Sequence, residues 1–177
     1  MWGLAVAGLT TSFTRVGGLA RDADPEWLRR LRDFVDAMPR RIREYEALLT
    51  KNTIWLKRTR GVGVLRAADA LSWGVTGPSL RASGVEHDVR KARPYSGYER
   101  YDFEIPTGSE GDIYDRYLVR LEEMRQSLRI LDQALRDLPD GPVNVDAPKV
   151  FLPPKRKVLT SMEELIHQFL IVTEGFE

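Results

Sequence analysis

The chain has 177 residues, long enough for one ordinary domain or two small ones with a buried core and no disulfide support. Hydrophobic residues at 42% and charged residues at 30% exclude global disorder, while 27 basic and 26 acidic residues leave a net charge of +1 that singles out neither nucleic acid nor an anionic membrane. Cysteine is absent and histidine occurs only at His87 and His167, which excludes thiolate metal sites, Fe–S ligation and thiol catalysis by this chain.

Met1 to Leu9 is mostly apolar but lacks a basic lead and is less than half the length that spans a bilayer, so it reads as neither anchor nor signal peptide. No other run approaches the apolar length of a transmembrane helix, and the chain is expected to be soluble. Asp24 followed by Pro25 reads as a helix start, with Trp27, Leu28, Leu31, Phe34, Val35 and Met38 recurring at helical spacing. Pro39 is expected to end or kink that helix, and Ile42, Tyr45, Leu48 and Leu49 resume the stripe to about Asn52. Residues 1–60 carry 12 basic and 7 acidic residues, a mild asymmetry.

Gly61-Val62-Gly63-Val64 suggests a short extended segment, Ala67 to Leu71 a short helix, and Gly74 to Gly84 a loop. Tyr101, Phe103 and Ile105 alternate with Arg100, Asp102 and Glu104, the period of a half-buried strand closed by Pro106. From Asp112 the apolar positions keep three- and four-residue spacing through Ile113, Tyr117, Leu121, Leu128 and Leu135 until Pro139, predicting a helix roughly 40 Å long. Asp112/Arg116, Glu122/Arg125, Arg129/Asp132 and Asp132/Arg136 are spaced for ion pairs along it. Residues 139–158 hold five prolines and read as an extended connection. Ser161 with Glu164 is a capping-box pattern opening a helix expected to bury Leu165, Ile166, Phe169, Leu170 and Val172 and to stop near Gly175.

Little in the sequence carries chemistry by itself. Gly61-Val62-Gly63 lacks the third glycine of a dinucleotide fingerprint, with Arg66 in its place. His167 has no second ligand three or four residues away, so a packed or surface histidine is expected. His87, beside Glu86 and Asp88, is a conceivable general base without a nucleophile to serve. Nucleic-acid binding through Arg29-Arg30 and Arg40-Arg41 is disfavoured by the near-neutral charge. Arginine exceeds lysine by 21 to 6, the cation suited to paired interfaces, and residues 81–91 form the densest polar cluster. The candidate partner-interface residues are Arg81, Ser83, Gly84, Asp88, Arg90 and Lys91 of that cluster, with Arg116, Arg125 and Arg129 on the long helix. Arg81→Ala or Arg90→Ala is expected to leave folding nearly unchanged.

That cluster with Leu80, and the run DIYDRYLVRLEEMRQSLRIL from Asp112 to Leu131, resemble the D-subunit family of respiratory complex I, the hydrogenase-derived peripheral-arm subunit of proton-pumping NADH:quinone oxidoreductase. Further matches are Arg15-Val16-Gly17-Gly18, Thr50-Lys51-Asn52, Ile54-Trp55, Arg58-Thr59, Thr76-Gly77, Tyr95, Thr160-Ser161-Met162-Glu163 and Leu165-Ile166-His167. The sequence departs from the family pattern at His87, Glu110, Gln168 and Leu170, and at Val6 to Thr10.

The resemblance implies a mainly α fold with minor α+β content: a helical core around one long helix, a fragment like part of a hydrogenase large subunit. It implies a divergent apolar segment at 1–14, the helical core at 15–138, and at 139–177 a Pro-rich connection and the truncated start of the next helical part. It implies a subunit of NADH:quinone oxidoreductase, inactive alone, that helps form the site where electrons pass from the terminal Fe–S cluster of a partner subunit to quinone. The chain itself is expected to hold no catalytic residue, cofactor or metal. Expected partners are the Fe–S subunit and the neighbouring peripheral-arm and membrane-arm subunits, without nucleic acid, at the cytoplasmic face of a bacterial plasma membrane. The alternatives are a non-catalytic helical interaction module or truncated relic, and a subunit of a related membrane-bound hydrogenase-type complex.

Overall fold

The computed structural model describes residues 14–15, 17–19, 22–147 and 150–175, and all but Thr14 of the expected 1–14 segment lies outside them. The chain forms two compact units, one spanning 25–138 and the other built from the residues on either side of it. The architecture is mainly helical, as expected. Among the described residues its strand content is the two-residue antiparallel pair β1 (Thr14–Arg15) and β2 (Gly18–Leu19).

Unit 25–138 opens with α1 (Pro25–Leu49), which runs without a break through Pro39. The expectation that Pro39 ends the helix is therefore corrected. Proline removes one amide donor and crowds the preceding turn, but Val35 and Ile42, one on each side of it, are both buried on the face packed against the long helix. Packing on that seam outweighs the local defect. Trp27, Phe34, Tyr45 and Leu48 remain exposed, so the apolar stripe is wider than the surface it buries. Short helices follow: α2 (Thr53–Thr59), α3 (Ala67–Ser72), α4 (Gly77–Ala82), α5 (Val89–Ala92) and a single 3-10 turn at Tyr98–Arg100. Helix α2 had no apolar periodicity to announce it, but Asn52 caps it, its side chain accepting from the amides of Ile54 and Trp55. Helix α4 replaces the loop expected at 74–84. Gly61 and Gly63 both adopt left-handed φ, +67° and +61°, so the expected extended segment is a turn.

The helix α6 (Ile113–Arg136) is the central element, about 36 Å long at 1.5 Å per residue. It packs against α1, α4 and α2. Val119 and Leu121 are buried in this core with Leu80, Ala82 and Phe103. Asp112 caps α6, with the Asp115 amide donating to its Oδ1 at 2.8 Å.

The strand expected over 101–105 does not form. Its burial alternates as the sequence implies, with Phe103 buried and Asp102 and Glu104 exposed, yet its hydrogen-bonding partner is a helix. The Asp102 amide donates to Gln133 Oε1 at 2.8 Å and the Glu104 amide to Gln126 Oε1 at 3.0 Å. Amides two residues apart on an extended chain point to the same side, and residues seven apart on a helix share a face, so the two periods coincide.

In the second unit, β2 is bridged by Gly18 to Asn144, and the Gly17 φ of +83° brings its backbone close enough to Phe151 that a Cβ there would lie 2.6 Å from the ring. Helices α7 (Lys155–Val158) and α8 (Met162–Glu174) follow, and Gly175 ends α8 as expected. The capping box does not close: the Ser161 hydroxyl donates to Glu163 at 2.8 Å. The apolar residues of α8 are exposed, Phe169 at 65% and Val172 at 67%, so their expected burial is corrected for this chain.

Candidate functional site

The polar cluster at 81–91 places two charged residues, Arg81 and Asp88, in the interior of unit 25–138. Arg81 lies in the last turn of α4 with only 7% of its surface exposed. Its Nε donates to Glu123 Oε1 of α6 at 2.7 Å, its Nη2 bonds the same oxygen, and its Nη1 donates to the His87 carbonyl at 2.9 Å. Asp88 is 5% exposed and lies 3.8 Å from Arg81 Nη1. It accepts from Arg90 Nη2 at 2.6 Å and Nε at 3.0 Å, and its Oδ1 accepts the Arg90 amide at 2.9 Å, capping α5. The Arg90 hydrogen bonds hold the Asp88 carboxyl below the usual aspartate range against the opposing effect of burial, and Asp88 raises Arg90 in turn.

Arg90 also lies over the Phe103 ring at 4.8 Å, with Lys91 Nζ 4.9 Å from the same ring. The loop thus anchors the extended 101–105 segment. Ser83 is buried, its hydroxyl 2.7 Å from the Leu65 carbonyl as donor. Gly84 stands beside it in left-handed geometry, φ +85°, exposed to solvent.

A second knot fixes this loop from below. The amides of Gly108 and Gly111 donate to the Arg81 and Ala82 carbonyls at the open end of α4, 2.9 and 3.1 Å, and the Gly111 carbonyl accepts from Leu65 at 2.9 Å. The buried Asp115 carboxylate accepts the Ser109 and Glu110 amides, both at 2.7 Å. Asp112 Oδ2 accepts the Gly61 amide at 2.8 Å. Only glycine fits at 108 and 111, where a Cβ would come within 2.6 Å of the Ala82 oxygen and 2.3 Å of the Leu65 oxygen.

Of the three arginines chosen on α6, Arg125 pairs with Glu122 at 2.9 Å as spaced and also reaches Glu46 of α1 at 2.6 Å. Arg116 does not pair with Asp112; it donates to the carbonyls of Gly111 and Gly63 at 2.7 and 2.8 Å. Arg129 bonds Asp102 and lies 3.7 Å from Glu104, while Asp132 pairs with Arg32 at 2.6 Å and Arg136 at 2.9 Å. The candidate residues therefore fall into two groups. Arg81, Ser83, Asp88 and Arg90 are built into the fold, and Gly84 and Lys91 face solvent. The expectation that Arg81 is dispensable for folding does not fit a buried, fully engaged guanidinium. Glu123 and the two glutamines were missed because each acts across the chain through side-chain bonding that no spacing announces; Asp115 was missed although Asp112 and Asp115 carry a local signal, the Asp-x-x-Asp pattern of a helix start.

An open cavity of about 490 Å³ is lined by Thr76, Arg81, His87, Asp88, Arg90 and Tyr95, among others. His87 lines it and is exposed. His167 packs in the second unit, Nε2 3.2 Å from the Phe151 carbonyl. Among the described residues no group of three or more His, Cys, Asp or Glu could hold a metal ion. None of the described helices is long and apolar enough to cross a membrane.

The class defined here is a helical scaffold centred on one long helix and cross-braced by buried arginine–carboxylate pairs. Residues 4–177 match the family of the respiratory-chain NADH dehydrogenase 49 Kd subunit, and the chain belongs to that family. It is 56% identical over 174 residues to the D subunit of NADH-quinone oxidoreductase from Methylacidiphilum infernorum, covering 98% of this chain and 42% of the relative. It is 55% identical to the D 1 subunit from Opitutus terrae, covering 97% and 41%, and 55% identical to the D 2 subunit from Chloroflexus aurantiacus, covering 97% and 42%. The chain thus spans less than half the length of these curated relatives.

Proposed function

We propose that this chain supplies the helical scaffold of the D subunit in a proton-translocating NADH-quinone oxidoreductase, supporting the wall of the site where electrons pass from a terminal Fe–S cluster to quinone. The observation that carries the reading is the family match over residues 4–177, with relatives of that name at 51–56% identity. The donor chemistry of the chain does not fit the cluster itself: it contains no cysteine, and its described residues bring together no metal-ligating group. In this reading the cluster is held outside this chain, whose part is positional. Its assembly would lie peripherally at the cytoplasmic face of a bacterial plasma membrane.

The 81–91 loop serves this role as a rigid presenting element. Arg81, Asp88, Arg90 and Glu123 fix its shape, and Gly84, Lys91 and the half-exposed guanidinium groups of Arg116, Arg125 and Arg129 meet partner subunits. Preorganisation of this kind lowers the entropy lost on association. Affinity isolation of the tagged chain from solubilised membranes of cells that make it tests the reading. Co-isolation of an Fe–S subunit and membrane-arm subunits with NADH:quinone reductase activity is expected; recovery of the chain alone would favour a free-standing interaction module.

A further inference from the structure

Ion pairs take up most of the cations on α1 and α6. On α1, Arg29, Arg30, Arg40 and Arg41 each meet an acid three or four residues away, and Arg32 reaches Asp132. Residues 51–66 lack any acidic partner of their own: five basic residues stand in the sixteen positions with no acidic one. Lys51, Lys57, Arg58 and Arg66 are exposed and form no ion pair among the described residues, while exposed Arg60 lies over the Tyr114 ring at 4.9 Å.

The same stretch exposes aliphatic side chains, Ile54 at 70%, Val64 at 53% and Val62 at 43%. Ile54, Lys57 and Arg58 stand at i, i+3 and i+4 on α2, so they share one face, opposite Trp55 and the buried Thr59. The turn beyond them is held rigidly to the N-terminal end of α6. The Gly61 amide donates to Asp112, the Ile113 amide to the Val62 carbonyl, and Arg116 to the Gly63 carbonyl.

We infer that residues 51–66 form a docking surface for a carboxylate-rich segment of a partner protein, with Ile54, Val62 and Val64 as its apolar centre and the unpaired cations as its rim. Apolar centre, polar rim and enriched arginine are the anatomy of a protein interface, and planar guanidinium groups match carboxylates in two-point contacts. A turn braced by these three side-chain and backbone bonds suits a partner of fixed shape better than a fluid headgroup layer. The surface adjoins the 81–91 loop, whose Ser83 donates to the Leu65 carbonyl, and the inference rests on the assembly reading above.

A water-soluble carbodiimide joins a lysine amine to a carboxylate only where the two touch, so Lys51 and Lys57 are built-in reporters. The experiment treats the assembled particle, isolated through this chain, with carbodiimide, and in parallel labels its amines with an acetylating reagent before and after detergent delipidation. The expected result is a cross-link from Lys51 or Lys57 to an Asp or Glu of another subunit, with both amines at least fivefold less acetylated than in the isolated chain. Lys57→Glu with Arg58→Glu should cut co-isolation of that subunit at least tenfold at an unchanged melting temperature, while Arg29→Glu does not. Full acetylation of both lysines in the particle would overturn the inference. Protection without a cross-link that vanishes on delipidation would assign the surface to anionic lipid and overturn it equally. Failure of any subunit to co-isolate with the unsubstituted chain would instead overturn the assembly reading.

Discussion

Arg81 shows how far a residue's role departs from its type. In sequence it is one arginine in a polar loop; in the fold it is 7% exposed and shared between Glu123, His87 and Asp88. Removing one partner of a buried pair leaves the others uncompensated, so Arg81→Ala should lower unfolding stability by about 3–5 kcal/mol in denaturant titrations. The density of charge over 81–91 was legible, but Glu123 lies 42 positions away and no local pattern points to it. Asp88 adds a pH dependence. Its carboxyl is depressed by Arg90, so its stabilisation is complete above the unfolded value of about 3.9 and is lost as pH falls through the lower folded value. The melting temperature of Asp88→Asn should therefore lie below that of the parent near neutral pH, and the gap should close below about pH 4. Glycines provide a further contrast. Gly111→Ala meets both left-handed φ and a Leu65 oxygen 2.3 Å from the new Cβ, whereas Gly61→Ala meets only the φ, with nothing within 4 Å. Chemical denaturation should show about 1–2 kcal/mol lost for Gly61→Ala and clearly more for Gly111→Ala.

At the scale of elements, periodicity identified α1, α6 and α8, and three competing effects account for what it mistook. Tertiary packing of Val35 and Ile42 carries α1 across Pro39, which local rules treat as a stop. Since Pro39 is exposed and forfeits a helix hydrogen bond, Pro39→Ala should raise stability by about 1–3 kcal/mol, read from thermal melts. A real period of two at 101–105 was paired with a helix instead of a strand, because Gln126 and Gln133 reproduce the acceptors a neighbouring strand would offer. Gln126→Leu should abolish hydrogen-exchange protection of the Glu104 amide while leaving α6 protected. The exposed apolar face of α8 shows the third effect: amphipathic spacing reports a surface meant for burial without naming what covers it. Within the core, Leu121 is 4% exposed and Leu128 only half-buried. Leu121→Ala should cost about 2–5 kcal/mol and Leu128→Ala less.

For the whole molecule, function was legible through resemblance and not through chemistry. Composition excluded thiolate sites, no spacing supplied a catalytic constellation, and the runs around Leu80 and from Asp112 to Leu131 carried the family. The structure gives those runs a physical meaning: they are the loop and the helix whose charges interlock through Arg81 and Glu123. The central claim is that this chain is a scaffold interchangeable with the matching part of the D subunit of an NADH-quinone oxidoreductase. Replacing the 174 aligned residues of the Methylacidiphilum infernorum relative with this chain tests it directly, by measuring inhibitor-sensitive NADH:quinone reductase in membranes that lack the native protein. Activity restored to at least a tenth of the native level, and lost when Arg81→Ala is added, is the predicted result; a chimaera that accumulates and assembles at native yield yet supports no quinone reduction would contradict it.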